Sequence, residues 1–428
     1  MTIIVFLAAL FGAVAIGAPI AFALLFVGVA LMIQMGMFDA QIIAQSTLDG
    51  ADSFPLLAVP FFMLAGELMN QGGLSKRIVN LALAIVGHIR GGLGYVAITA
   101  GVIMASLSGS AVADSAALAS LLVPMMVKAG HDKGRSCGLV AASGIIGPII
   151  PPSIPMVIYG AMAEVSVGKL FLGGFVPGVM MGVGLMVLIY FFGFRESMPK
   201  DAAYGLGEIW GAFRSAFLSL LTPVILIGGI LSGIFTPTEA SAVAAVYAFV
   251  ICFFIYKTVT WRDIPSIIVD TFVTTAVVTF IISATSGFSY LLIVGKIGTL
   301  LVESTLALTR NPWIILLIVN IALLILGCLM EAGVLLILLT PILVPMMKSL
   351  GVDLVHFGLV MVLNLMIGVA TPPVGMCLFV VSGATGIKLE RLMREVIPWV
   401  MPLIVVLFLI TYFPSLVLTV PNWLMPGK

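Results

Sequence analysis

Two proline pairs stand where backbone hydrogen bonds are hardest to replace. One lies in GPIIPPSIP at 147–155 and the other in GVATPPVG at 368–375. Each sits within a long stretch without Asp, Glu, Lys or Arg, at 136–163 and 354–387. Proline has no N–H to donate to the carbonyl four residues back and pushes that carbonyl aside. Pro151 and Pro152 therefore release the carbonyls of Gly147 and Pro148. Pro372 and Pro373 release those of Gly368 and Val369. In lipid such groups are tolerated only where protein or a watery cavity satisfies them. Carbonyl oxygens clustered with a hydroxyl such as Thr371 are the donor set of a hard cation such as Na⁺. A plain proline kink is the competing reading of each break, and its recurrence at two equivalent positions weighs against it.

Each proline pair has a second interruption upstream. The first is SLSGSAVADS at 106–115 and the second GCLMEAGV at 327–334. Short apolar segments flank them, 115–127 and 332–347, and a short pair around a polar tip reads as a re-entrant hairpin. Stretches of Ser and Gly also serve as helix-packing surfaces. A tip facing a proline break would enclose an oxygen-lined pocket.

Ionisable residues inside apolar segments are candidates for function by default, because a centred charge costs about 2.5–3.5 kcal/mol on insertion scales. Here they are Asp114, Glu239, Lys296 and Glu331. Asp114 also fits the start of a helix, where the backbone dipole stabilises a carboxylate. Glu239 has two compatible readings. Thr236-Pro237-Thr238-Glu239 matches a capping box, and the carboxylate is also a candidate ligand contact. Lys296, in GKIGT, is either interfacial or a partner for an anionic substrate, for which Ser110 and Glu331 are further candidates. Glu67 and Glu164 fit loop or interfacial positions.

The elements that must hold these residues follow from composition. Of 428 residues, 62% are hydrophobic and 9% charged, against about 25% charged in a soluble domain. Mean hydropathy is +1.28. Such a chain cannot cover a soluble surface. Nineteen Lys plus Arg against 18 Asp plus Glu leave no basic excess for nucleic acid. Uncharged stretches at 1–38, 91–113, 170–194, 215–238, 271–295, 311–330 and 396–427 match the roughly 20 residues a helix needs to cross a bilayer. They are apolar on every face, which excludes the alternation of a barrel. The first stretch has no basic n-region, so a retained helix is predicted, broken near Gly17-Ala18-Pro19. Basic clusters at Arg195–Arg214 and Lys257–Arg262 flank a predicted helical hairpin at 215–256, which puts both on the cytoplasmic side. The cysteines Cys137, Cys252, Cys328 and Cys377 are isolated in apolar surroundings and read as core residues. His88, His131 and His356 show no metal-site spacing.

The two sets of interruptions are copies. LVPMM at 122–126 recurs at 343–347, an offset of 221. The same offset pairs Gly66 with Gly287, Gly130 with Gly351, Asp132 with Asp353, Gly147 with Gly368, the two proline pairs with each other, and Pro177 with Pro398. It also pairs Ser106 with Gly327 and Ser110 with Glu331. The expected organisation is an N-terminal scaffold helix region at 1–50, repeat 1 at 50–195 and a connecting segment with an inserted hairpin at 196–269. Repeat 2 follows at 270–415, then a tail at 416–428. Internal repeats around discontinuous helices are the mark of secondary transporters.

Taken together, these motifs resemble the large membrane subunit of tripartite ATP-independent periplasmic (TRAP) transporters. The resemblance rests on GADSFPLLAVPFFMLAGELMNQGGLSKRI at 50–78, SLSGSAVADSAA at 106–117, IIPPSIP at 149–155, KLFLGGFVPG at 169–178, FTPTEASAVAAVYA at 235–248 and TPP at 371–373. It implies an all-α polytopic membrane protein of the elevator type, similar to the ion-transporter superfamily, with two inverted repeats and two re-entrant hairpins. It implies Na⁺-driven import of an organic acid anion (a C4-dicarboxylate, sialic acid, or a related sugar or keto acid) across a bacterial inner membrane. It implies two partners, a small four-helix membrane subunit and a periplasmic substrate-binding protein. By matching position, it implies at least two Na⁺ sites. The first comprises Ser106, Ser108, Gly147, Pro148 and Ile150; the second comprises Gly327, Met330, Gly368, Val369 and Thr371. A Walker A motif is absent, and no histidine is placed to activate a serine of SLSGS, so neither ATP hydrolysis nor an intramembrane hydrolase is expected. A passive anion channel and a non-transporting scaffold subunit are the alternatives.

Overall fold

The computed structural model describes residues 5, 8–9, 12–13, 16–196, 204–294, 309 and 311–426. Among them there is helix and no strand. The chain turns at Ile16–Gly17 and enters α1 (Ile20–Gln34) directly after Pro19, the predicted break. α2 (Ala40–Ala51) and α3 (Ala58–Gln71), joined by a 3-10 turn at Phe54–Leu57, bend by 54° and together are long enough for one crossing. α4 (Leu74–Val86) follows.

The first hairpin is α5 (Gly92–Ser108) and α6 (Ala111–Lys128), followed by α7 (Lys133–Gly144). After the first proline break come α8 (Ile154–Met162) and the long α9 (Val167–Glu196). The inserted hairpin is α10 (Leu206–Leu231) and α11 (Pro237–Val250), the latter continued by a π-turn at Ile251–Ile255. α12 (Ile264–Val294) opens the second half. α13 (Pro312–Gly327) and α14 (Ala332–Ser349) form the second hairpin, and α15 (Leu354–Val369) leads into the second proline break. α16 (Met376–Thr385), α17 (Leu389–Tyr412) and α18 (Ser415–Leu424) complete the chain. Seven described helices are long and apolar enough to cross a membrane, or eight if the bent pair is one span.

The 221-residue offset carries through to the elements. It maps Ala111–Lys128 onto Ala332–Ser349 at both ends, and the first residue of α7, Lys133, onto the first of α15, Leu354. It maps the bent α2–α3 unit onto the single helix α12, so the expected boundaries at 50 and 270 fall inside helices. The packing is reciprocal as well. α6 of the first half lies against α16 of the second, and α14 of the second against α8 of the first. α7 lies against α17, and α15 against α9. Each half thus supplies the surface that buries the other half's broken helix, which is the exchange a two-fold relation between repeats requires.

Two expectations change. The second arms of the hairpins, α6 and α14, are each long and apolar enough to cross the membrane, not short stubs. They extend past the uncharged stretches because their charges sit where a helix accepts them: Asp114 in the first turn of α6, and Lys128 and Lys348 in the last turns of α6 and α14. The other change concerns the carbonyls near the proline breaks. Gly368 accepts from the Thr371 N–H at 2.9 Å, and Pro148 accepts from the Ser153 hydroxyl at 2.5 Å. These two of the four released carbonyls thus have local partners. All four cysteines are buried and free.

Candidate substrate and cation site

The first tip is shaped by Gly109. It ends α5 at φ +60°, and a Cβ there would sit 2.6 Å from the carbonyl oxygen of Pro152. Only glycine accepts both constraints. The first hairpin therefore abuts the first proline pair, whose bond, like that of Pro372-Pro373, is cis. Ser110 then caps α6, accepting from the Ala113 N–H at 3.4 Å. Ser108 donates to Asp114 Oδ1 at 2.7 Å and accepts from the Ser110 N–H at 3.1 Å. Ser106 turns its hydroxyl to the Ile103 carbonyl of its own helix, at 2.6 Å.

The second tip makes the equivalent approach with different chemistry. A Cβ on Gly368 would sit 2.6 Å from Gly327 Cα, so the two backbones pass in direct contact. The Cys328 carbonyl accepts from the amides of Val374 and Gly375, at 3.2 and 3.4 Å. Thr371 donates to the Ile367 carbonyl at 2.7 Å, which leaves its oxygen lone pairs for a further partner. Glu331 caps α14, accepting from the Val334 N–H at 2.8 Å.

Between the tips lies a cavity of about 380 Å³. Ser110 and Glu331 both line it. So do Ile154 and Pro155 at the start of α8, and Met376 at the start of α16. Four helix N-termini, two from each repeat, thus open onto one space. Pro148 and Val369, from the two breaks, reach its wall. Met63 of α3 and Thr274, Val277, Val278 and Ile281 of α12 close another side. Among the described residues that line it there is neither Lys nor Arg. Partial positive charge at a helix N-terminus suits an anion without a basic side chain.

Of the predicted substrate residues, the structure brings Ser110 and Glu331 together. Asp114 is fully buried behind the first tip and does not reach the cavity. Glu239 lies elsewhere, in a separate groove of about 460 Å³ with Phe54, Ser166 and Met425. There it forms the expected capping box, accepting from the Thr236 N–H at 2.8 Å. Lys296 lies outside the described residues. Ser108 and Gly147 meet through Asp114, and Gly327 meets Gly368. Sequence reasoning missed the α12 wall and the starts of α8 and α16. The start of α8 had a signal: Ser153 is an N-cap with proline two residues on, and its hydroxyl accepts from the Met156 N–H at 3.3 Å.

Comparison with known proteins decides the family. The profile described as "Tripartite ATP-independent periplasmic transporter, DctM component" matches residues 7–416.

The chain belongs to the DctM family of TRAP transporters.

The 2,3-diketo-L-gulonate TRAP transporter large permease protein YiaN of Escherichia coli is 44% identical over 424 residues, covering 99% of this chain and all of that protein. The sialic acid large permease SiaM of Vibrio cholerae is 43% identical, over 95% of both chains. The C4-dicarboxylate large permease DctM of Pseudomonas aeruginosa is 42% identical, over 87% of this chain and 88% of that one. Among solved structures, the YdaH transporter of Alcanivorax borkumensis superposes with a TM-score of 0.65. It covers 88% of each chain at 13% identity, a likeness of fold. The protein is a multi-pass TRAP large membrane subunit, a transport protein and not an enzyme.

Proposed function

We propose that this TRAP subunit imports a small organic acid anion across the bacterial inner membrane, coupled to Na⁺. The observation that carries the reading is the convergence of four helix N-termini, from both repeats, on one cavity with no basic side chain among its described lining residues. Such a site holds a carboxylate by backbone dipoles and releases it readily, as a carrier must.

Behind each tip the donor set fits a sodium ion. Ser106, Ser108, Gly147, Pro148 and Ile150 would hold one, and Gly327, Met330, Gly368, Val369 and Thr371 the other. Cations in these pockets offset the charge of the anion between them and fix both tips against their proline breaks. Binding of the two species is thereby coupled through the same backbone segments.

The repeats at 50–195 and 270–415 are proposed to be inverted. The hairpins and broken helices would travel as one body against a frame containing α1–α4 and α10–α12, in an elevator-type alternation of access. The largely apolar α12 wall supports this, since Val277, Val278 and Ile281 have no polar group to re-pair on sliding and the Thr274 hydroxyl is bonded within its own helix, to the Asp270 carbonyl. A periplasmic binding protein would deliver the substrate, and a small four-helix membrane subunit would enlarge the frame. Candidate substrates are sugar or keto acids, sialic acid and C4-dicarboxylates, the anions that relatives above 40% identity are named for.

The test is uptake by liposomes containing the chain and its small partner. Uptake is expected only with an inward Na⁺ gradient and substrate-loaded binding protein. Undiminished uptake in Na⁺-free, K⁺-only buffer would refute the coupling.

A further inference from the structure

Arg77, near the start of α4, is built into the side of the bundle far from the central cavity. It is half-buried. Its guanidinium carbon lies 3.7 Å from the centre of the Tyr256 ring, and its Nη1 donates to the Ser215 hydroxyl at 2.7 Å. The Tyr256 hydroxyl donates in turn to the Ser215 carbonyl at 2.8 Å. Side chains from α4, from α10 and from the segment after the π-turn thus lock together. None of them is negative. Among the described residues, no Asp or Glu lies within ion-pair distance of Arg77. A guanidinium has five donors in a planar fork that matches phosphate. The bond to Ser215 uses one of them.

More positive charge surrounds this fork. Lys76 adjoins Arg77, Arg214 adjoins Ser215 and Lys257 adjoins Tyr256, and all three are exposed. The carboxylates of the same segments are spent on helix starts. Glu208 accepts from the Gly205 N–H at 2.9 Å, and Asp263 accepts from the Thr260 N–H at 2.8 Å and the Thr260 hydroxyl at 2.7 Å.

The depth of the cluster follows from the sequence. The uncharged runs of the inserted hairpin begin after Arg214 and end before Lys257. Ser215, Tyr256 and the Arg77 tied to them therefore sit where hydrocarbon gives way to headgroups, on the side that the basic excess makes cytoplasmic. Aromatic surface faces outward on the same segments. Trp210 and Trp261 are 66% and 72% exposed, and Phe217 and Phe254 are exposed as well. Trp210 stacks on Phe213, and Trp261 meets Phe253 edge-on at 4.8 Å.

We propose that this cluster binds an anionic phospholipid of the cytoplasmic leaflet. The headgroup phosphate sits on the Arg77 fork. Arg214 and Lys257 supply the further charge that favours an anionic over a zwitterionic headgroup. The acyl chains lie along Phe217 and Phe254, a flank for which a soluble anion has no use. The lipid joins α4 to the hairpin from outside, where Arg77 joins them from within.

The probes are phosphatidylglycerol and phosphatidylcholine brominated on their acyl chains, which quench tryptophan fluorescence at close range. The purified full chain is titrated in detergent, alone and with its small partner subunit. Wild-type chain is expected to bind the anionic lipid about tenfold more tightly than the zwitterionic one, in both preparations. The double variant Arg214→Gln, Lys257→Asn leaves the Arg77 contacts in place, and asparagine accepts the φ of +54° at position 257. It should lose about tenfold in affinity for phosphatidylglycerol and keep that for phosphatidylcholine. Arg77→Gln should weaken both, since both lipids carry the phosphate. Equal quenching by the two lipids in wild type overturns the proposal, as does wild-type affinity for phosphatidylglycerol in the double variant. Displacement of the lipid by millimolar inorganic phosphate assigns the site to a soluble anion and overturns it too. A preference that vanishes when the small subunit is added shows the face to be a protein contact, with the same consequence. None of these results bears on sodium coupling.

Discussion

Ser110 and Glu331 occupy the same position in two copies of one hairpin, each capping the second helix, and both line the same cavity. One tip presents a neutral hydroxyl to the space and the other a carboxylate. In the proposed site, an anion between them would meet helix dipole behind a neutral cap at the Ser110 end. At the Glu331 end part of that dipole is already spent on the protein's own side chain.

A carboxylate installed at the first tip therefore opposes the anion. Ser110→Glu is expected to lower the initial rate of uptake from loaded binding protein by about tenfold, the effect of roughly 1.4 kcal/mol of like-charge repulsion in a confined site. Glutamate is an accepted cap, so the fold is kept. Wild-type rates in proteoliposomes would remove the Ser110 end from the substrate's path.

Gly109 is constrained twice, by its left-handed φ of +60° and by the Pro152 carbonyl 2.6 Å from where a Cβ would be. Gly109→Ala is expected to cost about 1–2 kcal/mol from the backbone conformation alone, with more from the collision. Thermal unfolding in detergent at a lower temperature, together with lost uptake, is the result to look for. Gly211, with open space around it and an ordinary helical backbone, is the matched control: Gly211→Ala should leave both unchanged.

Thr371→Ala removes the hydroxyl beside the second proline break and its bond to the Ile367 carbonyl. The Na⁺ concentration for half-maximal transport should rise, with little change in the maximal rate at saturating Na⁺. A sodium curve that coincides with wild type would exclude Thr371 from the cation pocket.

The second half is pinned by a buried network away from the cavity. Asn364 donates to both the side chain (2.8 Å) and the carbonyl (3.0 Å) of Asn320, which donates in turn to Thr411 at 2.9 Å. All three residues are fully buried, and they tie α13, α15 and α17 together. Asn320→Ala should destabilise by about 1–2 kcal/mol, the range for interhelical hydrogen bonds in membranes. Thr411→Val, which strands only one amide donor, should cost less. Denaturant unfolding of the two variants compares them directly. Equal and negligible losses would show that water replaces the network.

Residue types alone settled the solvent, the class of element and the duplication. With 9% charged residues the chain has no choice but lipid, and in lipid all-apolar runs must be helices, because nothing else pairs their backbone groups. The recurrence of LVPMM and of the proline pairs at one offset needed no coordinates, since proline breaks a helix wherever it stands. The Glu239 capping box was equally legible, being a bond across three residues.

What faces what was decided only by tertiary packing. Spacing could not place Glu239 in one recess and Glu331 in another, or set Asp114 behind the first tip instead of upon it. Nor could it show that α8 leans on the other half's hairpin, so that four helix starts open onto one cavity. Those relations join residues more than two hundred positions apart. They depend on which helix faces bury each other, and a run apolar on all sides has no stripe in the sequence to mark the face it will use.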